Sequence, residues 1–221
     1  MSVPTFRYGR MVDLSRPLVP AEHPWVRYQT QIDSIAKEGQ GWYVVGQLQV
    51  SGHAGTHVEA PLHAVEGGAD VNALPVEAFF GEAVILDLSA ASGATPVGLA
   101  GLQEAAQRAG GVRQGDIVFI HFDWDQRTAG QYPPYPSTEA LTWLVGQGIK
   151  LLGIDSPGLE VEGDRRLPNH RLLFGRGIPL IESLVNLEQL RSSRCYVFAQ
   201  PLPALGTDAV PLRVLAFEGD E

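Results

Sequence analysis

Cysteine is almost missing from this 221-residue chain, with Cys195 its single representative. An internal disulfide framework is excluded, and Cys195, set in the apolar run 195–199, is expected to be a buried, inert thiol. Positive charge is scarce as well: 16 Lys and Arg stand against 25 Asp and Glu, for a formal net charge of −9. That balance argues against nucleic acid or an anionic membrane as the main partner, since both call for basic patches. No apolar run approaches the ~18 residues a spanning helix requires. Residues 1–7 lack the long apolar segment of a secretory signal, so the cytoplasm is the expected address. No Gly-x-Ser-x-Gly elbow occurs, which weakens a serine-hydrolase reading. What is left, 44% hydrophobic and 19% charged residues, is ordinary for a globular protein, and one domain over 1–221 is expected.

Against this background the histidines stand out. Only six occur, and three of them, His53, His57 and His63, fall in residues 53–63 together with Glu59. Neutral imidazole and carboxylate are favoured ligands of first-row divalent metals. The four-residue step from His53 to His57 resembles the helical zinc motif, but Gly55 lies inside it and Pro61 forbids a regular helix through the rest. An extended chain fits better. Positions 53, 57, 59 and 63 are all odd, so strand alternation sends the four side chains to one face, with Gly55-Thr56 allowing a local turn or bulge. The alternative is a polar loop that is His-rich by chance.

Strands are expected over 11–14, 42–51, 83–88, 116–121, 150–154, 179–181, 195–199 and 212–217. Thr95-Pro96 reads as a cap and first residue of a helix that ends at Gly110-Gly111. Ser137 reads as the cap of a second helix, over Leu141, Leu144 and Val145. Strands outnumber helices, which points to a mixed α/β or α+β domain with a largely β core. A two-metal site needs further ligands, and the candidates are His170, after a helix-opening Pro168, and Glu182, at the end of an apolar strand where a charge needs a partner or water.

Taken together these segments resemble the cyclase family of metal-dependent hydrolases, which includes bacterial kynurenine formamidases and isatin hydrolases. Residues 53–63 are similar to its H-x-G-T-H-x-D-x-P-x-H signature. Residues 151–157 resemble its Gly-Ile-Asp-x-Pro segment. Leu167-Pro168-Asn169-His170, followed twelve residues later by Glu182, resembles its second ligand segment. Residues 210–216 resemble its closing strand. The resemblance implies a β/β/α swivelling-type fold with a partly closed, barrel-like sheet and flanking helices, usually a dimer or tetramer. It implies one or two divalent ions per chain, zinc or manganese: His53 and His57 on the first, His170 on the second, Glu59 and Glu182 shared, and His63 as the acid/base. The implied reaction is hydrolysis of a C–N or C–O acyl bond in a small arylformamide, lactam or lactone by metal-activated water. Isatin-type lactam opening and formylkynurenine-type hydrolysis both fit, and a metal- or small-molecule-binding module without turnover is the competing class.

Two positions depart from the family pattern. Glu59 stands where Asp is usual, and its extra methylene carries the carboxylate out by about 1.5 Å, the length of one carbon–carbon bond. The Trp-Pro pair of kynurenine formamidases is matched only by His23-Pro24, with Trp25 one place late. His23, Trp25 and His121 are candidate substrate contacts. Asp155 is a candidate for orienting a ligand histidine, or a turn-former before Ser156-Pro157.

Overall fold

The computed structural model describes residues 8–18, 29–35, 43–91, 95–124, 132–160 and 163–219. In chain order the strands are β1 (Arg10–Asp13), β2 (Gln29–Ile35), β3 (Tyr43–Gln49), β4 (His57–Glu59), β5 (Phe80–Asp87), β6 (Pro96–Val97), β7 (Ile117–His121), β8 (Tyr135–Pro136), β9 (Leu151–Ile154), β10 (Leu180–Glu182), β11 (Arg194–Phe198), β12 (Ala209–Pro211) and β13 (Leu215–Glu218). Three α-helices accompany them: α1 (Leu99–Arg108), α2 (Thr138–Gly146) and α3 (Pro168–Phe174).

Nine strands form one sheet in the order β1-β13-β11-β5-β7-β9-β10-β4-β12. Its middle, β5-β7-β9-β10, is parallel, and each crossover carries one helix, because parallel neighbours cannot be joined by a tight turn. The flanks are antiparallel. The sheet curls. Ser15, just past β1, bridges Leu184, just past β10, and Val185 N–H donates to Leu14 C=O at 3.0 Å, tying one sheet edge back toward the other. The result is a half-barrel in a mixed α/β fold, as expected.

Alternation along the strands builds two cores, one on each face. Ala83, Ile85, Ile117, Phe119, Leu151 and Ile181 fill the inside of the curl. Val84, Leu86, Val118, Ile120, Leu152 and Leu180 meet the apolar stripes of the helices, including Leu102, Leu141, Leu144 and Leu173. Most are wholly buried, each contributing on the order of 1.5–3 kcal/mol. At Gly153 in β9 the inside is so tight that a Cβ would lie 2.5 Å from the Phe119 ring and 2.9 Å from Leu184. Cys195 is buried in the inner core, and burial, aided by Glu218, pushes its thiol up to about 12. Among the described residues no helix is long and apolar enough to cross a membrane.

Two local expectations fail. The first helix does not start at Thr95-Pro96. Pro96–Val97 pair instead with Tyr135–Pro136, and α1 begins at Leu99 behind Gly98. Nor is 53–63 extended throughout: His57–Glu59 is strand and the turn allowed at Gly55 is present (φ +59°), but Pro61–His63 forms a 3-10 turn instead of continuing the strand. The Ser137 cap holds, its hydroxyl accepting the Ala140 N–H at 3.1 Å.

Candidate metal centre

The antiparallel pairing of β4 with β10 sets His57 opposite Glu182 and Glu59 opposite Leu180. Directly opposed residues share a face. Leu180 faces the helices, so His57, Glu59 and Glu182 face them too, and α3 lies over that side with His170. His53 and His63 arrive from the two turns that flank β4. The Thr56 hydroxyl fixes the first turn, donating to Ser183 C=O at 2.6 Å and accepting Arg16 N–H at 2.8 Å. The six groups expected from the sequence, His53, His57, Glu59, His63, His170 and Glu182, therefore meet in one place.

Glu59 is the hub. Its Oε1 lies 2.8 Å from His53 Nδ1, 3.6 Å from His57 Nε2 and 3.9 Å from His63 Nε2, and its Oε2 lies 3.2 Å from His170 Nε2. The longer side chain thus still reaches all four rings. Glu182 spans the same space, with Oε2 3.7 Å from His57 Nε2 and Oε1 3.6 Å from His170 Nε2. His57, Glu59, His170 and Glu182 are buried, whereas the His53 and His63 side chains keep 36% and 25% of their surface and form the open side.

The hydrogen bonds fix which ring atoms point inward. His57 Nδ1 lies 2.9 Å from Gly55 C=O, a group that can only accept, so the proton sits on Nδ1 and the Nε2 lone pair is free. His170 Nδ1 lies 2.6 Å from Glu160 Oε1, which frees its Nε2 in the same way. Lone pairs then face carboxylate oxygens, an arrangement that is repulsive unless a proton or a cation lies between. His57 Nε2, Glu59 Oε2 and Glu182 Oε1 are buried without a hydrogen-bond partner in the protein. Buried polar atoms are normally satisfied, so orphans of this kind clustered in one space fit a metal. Three sets of ligand atoms lie close enough to share an ion: His53, His57 and Glu59; Glu59, His63 and His170; and His53, His63 and Asp208.

Without an ion, protons answer the same field. At His53 the hydrogen bond to Glu59 outweighs burial and raises the ring to about 9. At His170 burial opposes the charge, but Glu160, Glu182 and Glu59 together raise it to about 11. Burial works against the Glu59 carboxylate too, yet the His170, His53 and His57 rings that face it hold it well below the usual range.

Three other expectations fare differently. His23 and Trp25 lie outside the described residues. His121 ends β7 and lines a separate cavity of about 210 Å³ with Arg16, Trp124, Asp155 and Leu184; no member of the histidine cluster is among its described lining residues. Asp155 does not orient a ligand histidine. Its carboxylate accepts the backbone N–H groups of Phe122 (2.9 Å) and Trp124 (3.2 Å), closing the chain end beyond β7, and burial raises it to about 6.

Two residues escaped the sequence reading. Glu160 holds the open N-terminus of α3, accepting the His170 backbone N–H at 2.8 Å as well as the ring N–H. A carboxylate upstream of a proline-opened helix was the only available signal. Asp208 precedes β12 and meets His53 and His63 across more than 140 positions of sequence, with no local pattern to mark it.

The family described as "Putative cyclase" matches residues 12–161. The kynurenine formamidase of Salinibacter ruber (strain DSM 13855 / M31) is 30% identical over 209 residues, covering 93% of this chain and 96% of that protein. Isatin hydrolase A from Labrenzia aggregata, solved bound to benzyl benzoate, superposes with a TM-score of 0.80 at 27% identity, covering 96% of this chain and 94% of the other. A "predicted metal-dependent hydrolase" from Bacillus stearothermophilus gives a TM-score of 0.69 at 26% identity, covering 95% and 98%. Family, length and fold agree across these relatives, and the chain belongs to the cyclase family of hydrolytic enzymes.

Proposed function

We propose that this enzyme opens a C–N acyl bond of a small arylformamide or lactam, using one or two zinc or manganese ions. The observation that carries the reading is the set of inward-facing, unpartnered atoms, His57 Nε2, Glu59 Oε2 and Glu182 Oε1. His53, His57 and Glu59 Oε1 would hold one ion, and His170, Glu182 and Glu59 Oε2 a second. When bound, such ions supply Lewis acidity that polarises the scissile carbonyl and brings the pKa of water from about 15.7 to near 7.

The chain's own residues do the rest. His63 Nε2 points toward Glu59 from the open side, where it can take a proton from the attacking water and pass it to the leaving nitrogen. Phe174 packs against the His63 and His170 rings, at 6.4 and 5.7 Å between centroids, and restricts both. The exposed side at His53 and His63 suits an open catalytic site rather than a closed structural one, which disfavours a binding module without turnover. A dimer or tetramer in the cytoplasm is the corresponding proposal for assembly and address, checked by sedimentation and fractionation.

The test is a hydrolytic assay of N-formylkynurenine and isatin with added Zn²⁺ or Mn²⁺. Metal-dependent turnover of either supports the reading and separates the two substrate types. Metal-loaded protein inert toward both compounds overturns it.

A further inference from the structure

The Asp208 carboxylate belongs to neither proposed ion site, yet a single oxygen of it, Oδ2, lies 2.9 Å from His63 Nδ1 and 3.0 Å from His53 Nε2. A carboxylate oxygen has no hydrogen to give, so each ring nitrogen meeting it must bring its own proton. The His63 tautomer follows, and so does a proton on His53 Nε2. His63 keeps its lone pair at Nε2, on the side of Glu59. His53 meets a carboxylate oxygen at each nitrogen, since its Nδ1 is also 2.8 Å from Glu59 Oε1, so an ion bound beside Glu59 would displace the Nδ1 proton and leave the Nε2 proton on Asp208. His53 would then hold an ion through the opposite nitrogen from His57 and His170, whose Nδ1 atoms are engaged by Gly55 C=O and Glu160.

The main chain under Asp208 is rigidly placed for this role. Ala60 N–H donates to Asp208 C=O at 2.8 Å, and the next residue, Ala209, lies opposite Glu59 in the β12–β4 ladder. The pairing that presents Glu59 to the ions thus presents Asp208 to the two rings beside it.

We propose that Asp208 is a positioning residue: one carboxylate oxygen clamps His53 and His63 and fixes both tautomers, so that His63 offers Nε2 to the reacting atoms while His53 offers Nδ1 to the metal. The inference rests on the metal-hydrolase reading above, but its main readout does not need activity. In zinc-loaded protein, long-range ¹H–¹⁵N spectra of the imidazoles, assigned with His63→Asn, are expected to show His63 protonated at Nδ1 and His53 at Nε2. In Asp208→Ala the His63 ring should relax to a tautomer mixture. Its kcat should fall about 10–100-fold, the range for lost partners of metal-site histidines, with KM moving by less than about threefold. Asp208→Asn keeps a carbonyl oxygen and should recover part of both signals.

Wild-type protein that is inert on every amide but shows both tautomers sinks the hydrolase reading and upholds the clamp. Active wild-type protein with His63 protonated at Nε2, or with turnover unchanged in Asp208→Ala, overturns the clamp. So does a further equivalent of zinc that displaces both N–H signals, since the trio would then be an ion site.

Discussion

Stripping the protein of metal should lower its melting temperature by an amount the site itself sets, and by more as pH rises. The Glu59 and Glu182 side chains are only 3% and 6% exposed, and lone pairs of His57 and His170 face them. An ion that binds this arrangement but not the unfolded chain adds about 2.7 kcal/mol when present at ~100 times its Kd. For a chain of this size 1 kcal/mol corresponds to roughly 2–4 °C, so chelation should cost about 5–11 °C per ion. Protons partly replace the ion in stripped protein, because His53 is raised to about 9 and His170 to about 11. A raised histidine stabilises the fold fully below its unfolded value, near 6.5, and that stabilisation is lost as pH climbs through the folded value. Protons and ions also compete for the same lone pairs. The gap between loaded and stripped protein should therefore widen from about pH 6.5 to 9.5. Differential scanning fluorimetry with and without chelator, across that range, measures it. Identical melting curves at every pH would refute the reasoning.

Three substitutions extend the test. His63→Asn should keep its metal while turnover drops by about 10²–10⁴-fold, read from metal content and kcat on one preparation; loss of metal would reassign His63 as a ligand. Glu160→Gln removes the charged acceptor behind His170 and should weaken metal affinity by about 10–100-fold in a competitive chelator titration, whereas unchanged affinity would leave Glu160 as only a helix cap. Gly153→Ala forces a methyl group against Phe119 and Leu184, and an overpacking cost of about 1–3 kcal/mol should appear in denaturant melts. A neutral result there would mean that the inner core is loosely packed.

The histidine–carboxylate cluster was legible because imidazole and carboxylate concentrated in eleven residues have no packing explanation, and because the second segment carries Pro168, His170 and Glu182 at a recognisable separation. The parallel strands were legible as apolar runs, since both faces of β5, β7 and β9 are covered. Strand alternation, with its allowance for a turn at Gly55, anticipated how His53 arrives but misdescribed His63, which the Pro61 turn carries outside the three-residue strand. Pro96 misled as a helix opener because that segment pairs with a parallel partner, Tyr135–Pro136, instead. Asp155 read equally as a ligand's support or as a turn-former, and two backbone N–H groups beyond β7 claim its carboxylate. Glu160 and Asp208 act through tertiary contacts alone, which no local spacing records.

The most direct single measurement is metal per chain, by plasma mass spectrometry, on protein purified without added metal and assayed for hydrolysis beside His57→Ala. One or two zinc or manganese ions in the wild type, with metal and turnover both lost from the variant, is the expected result. Wild-type protein that hydrolyses its substrate at full rate with no bound ion would contradict the proposed metal centre.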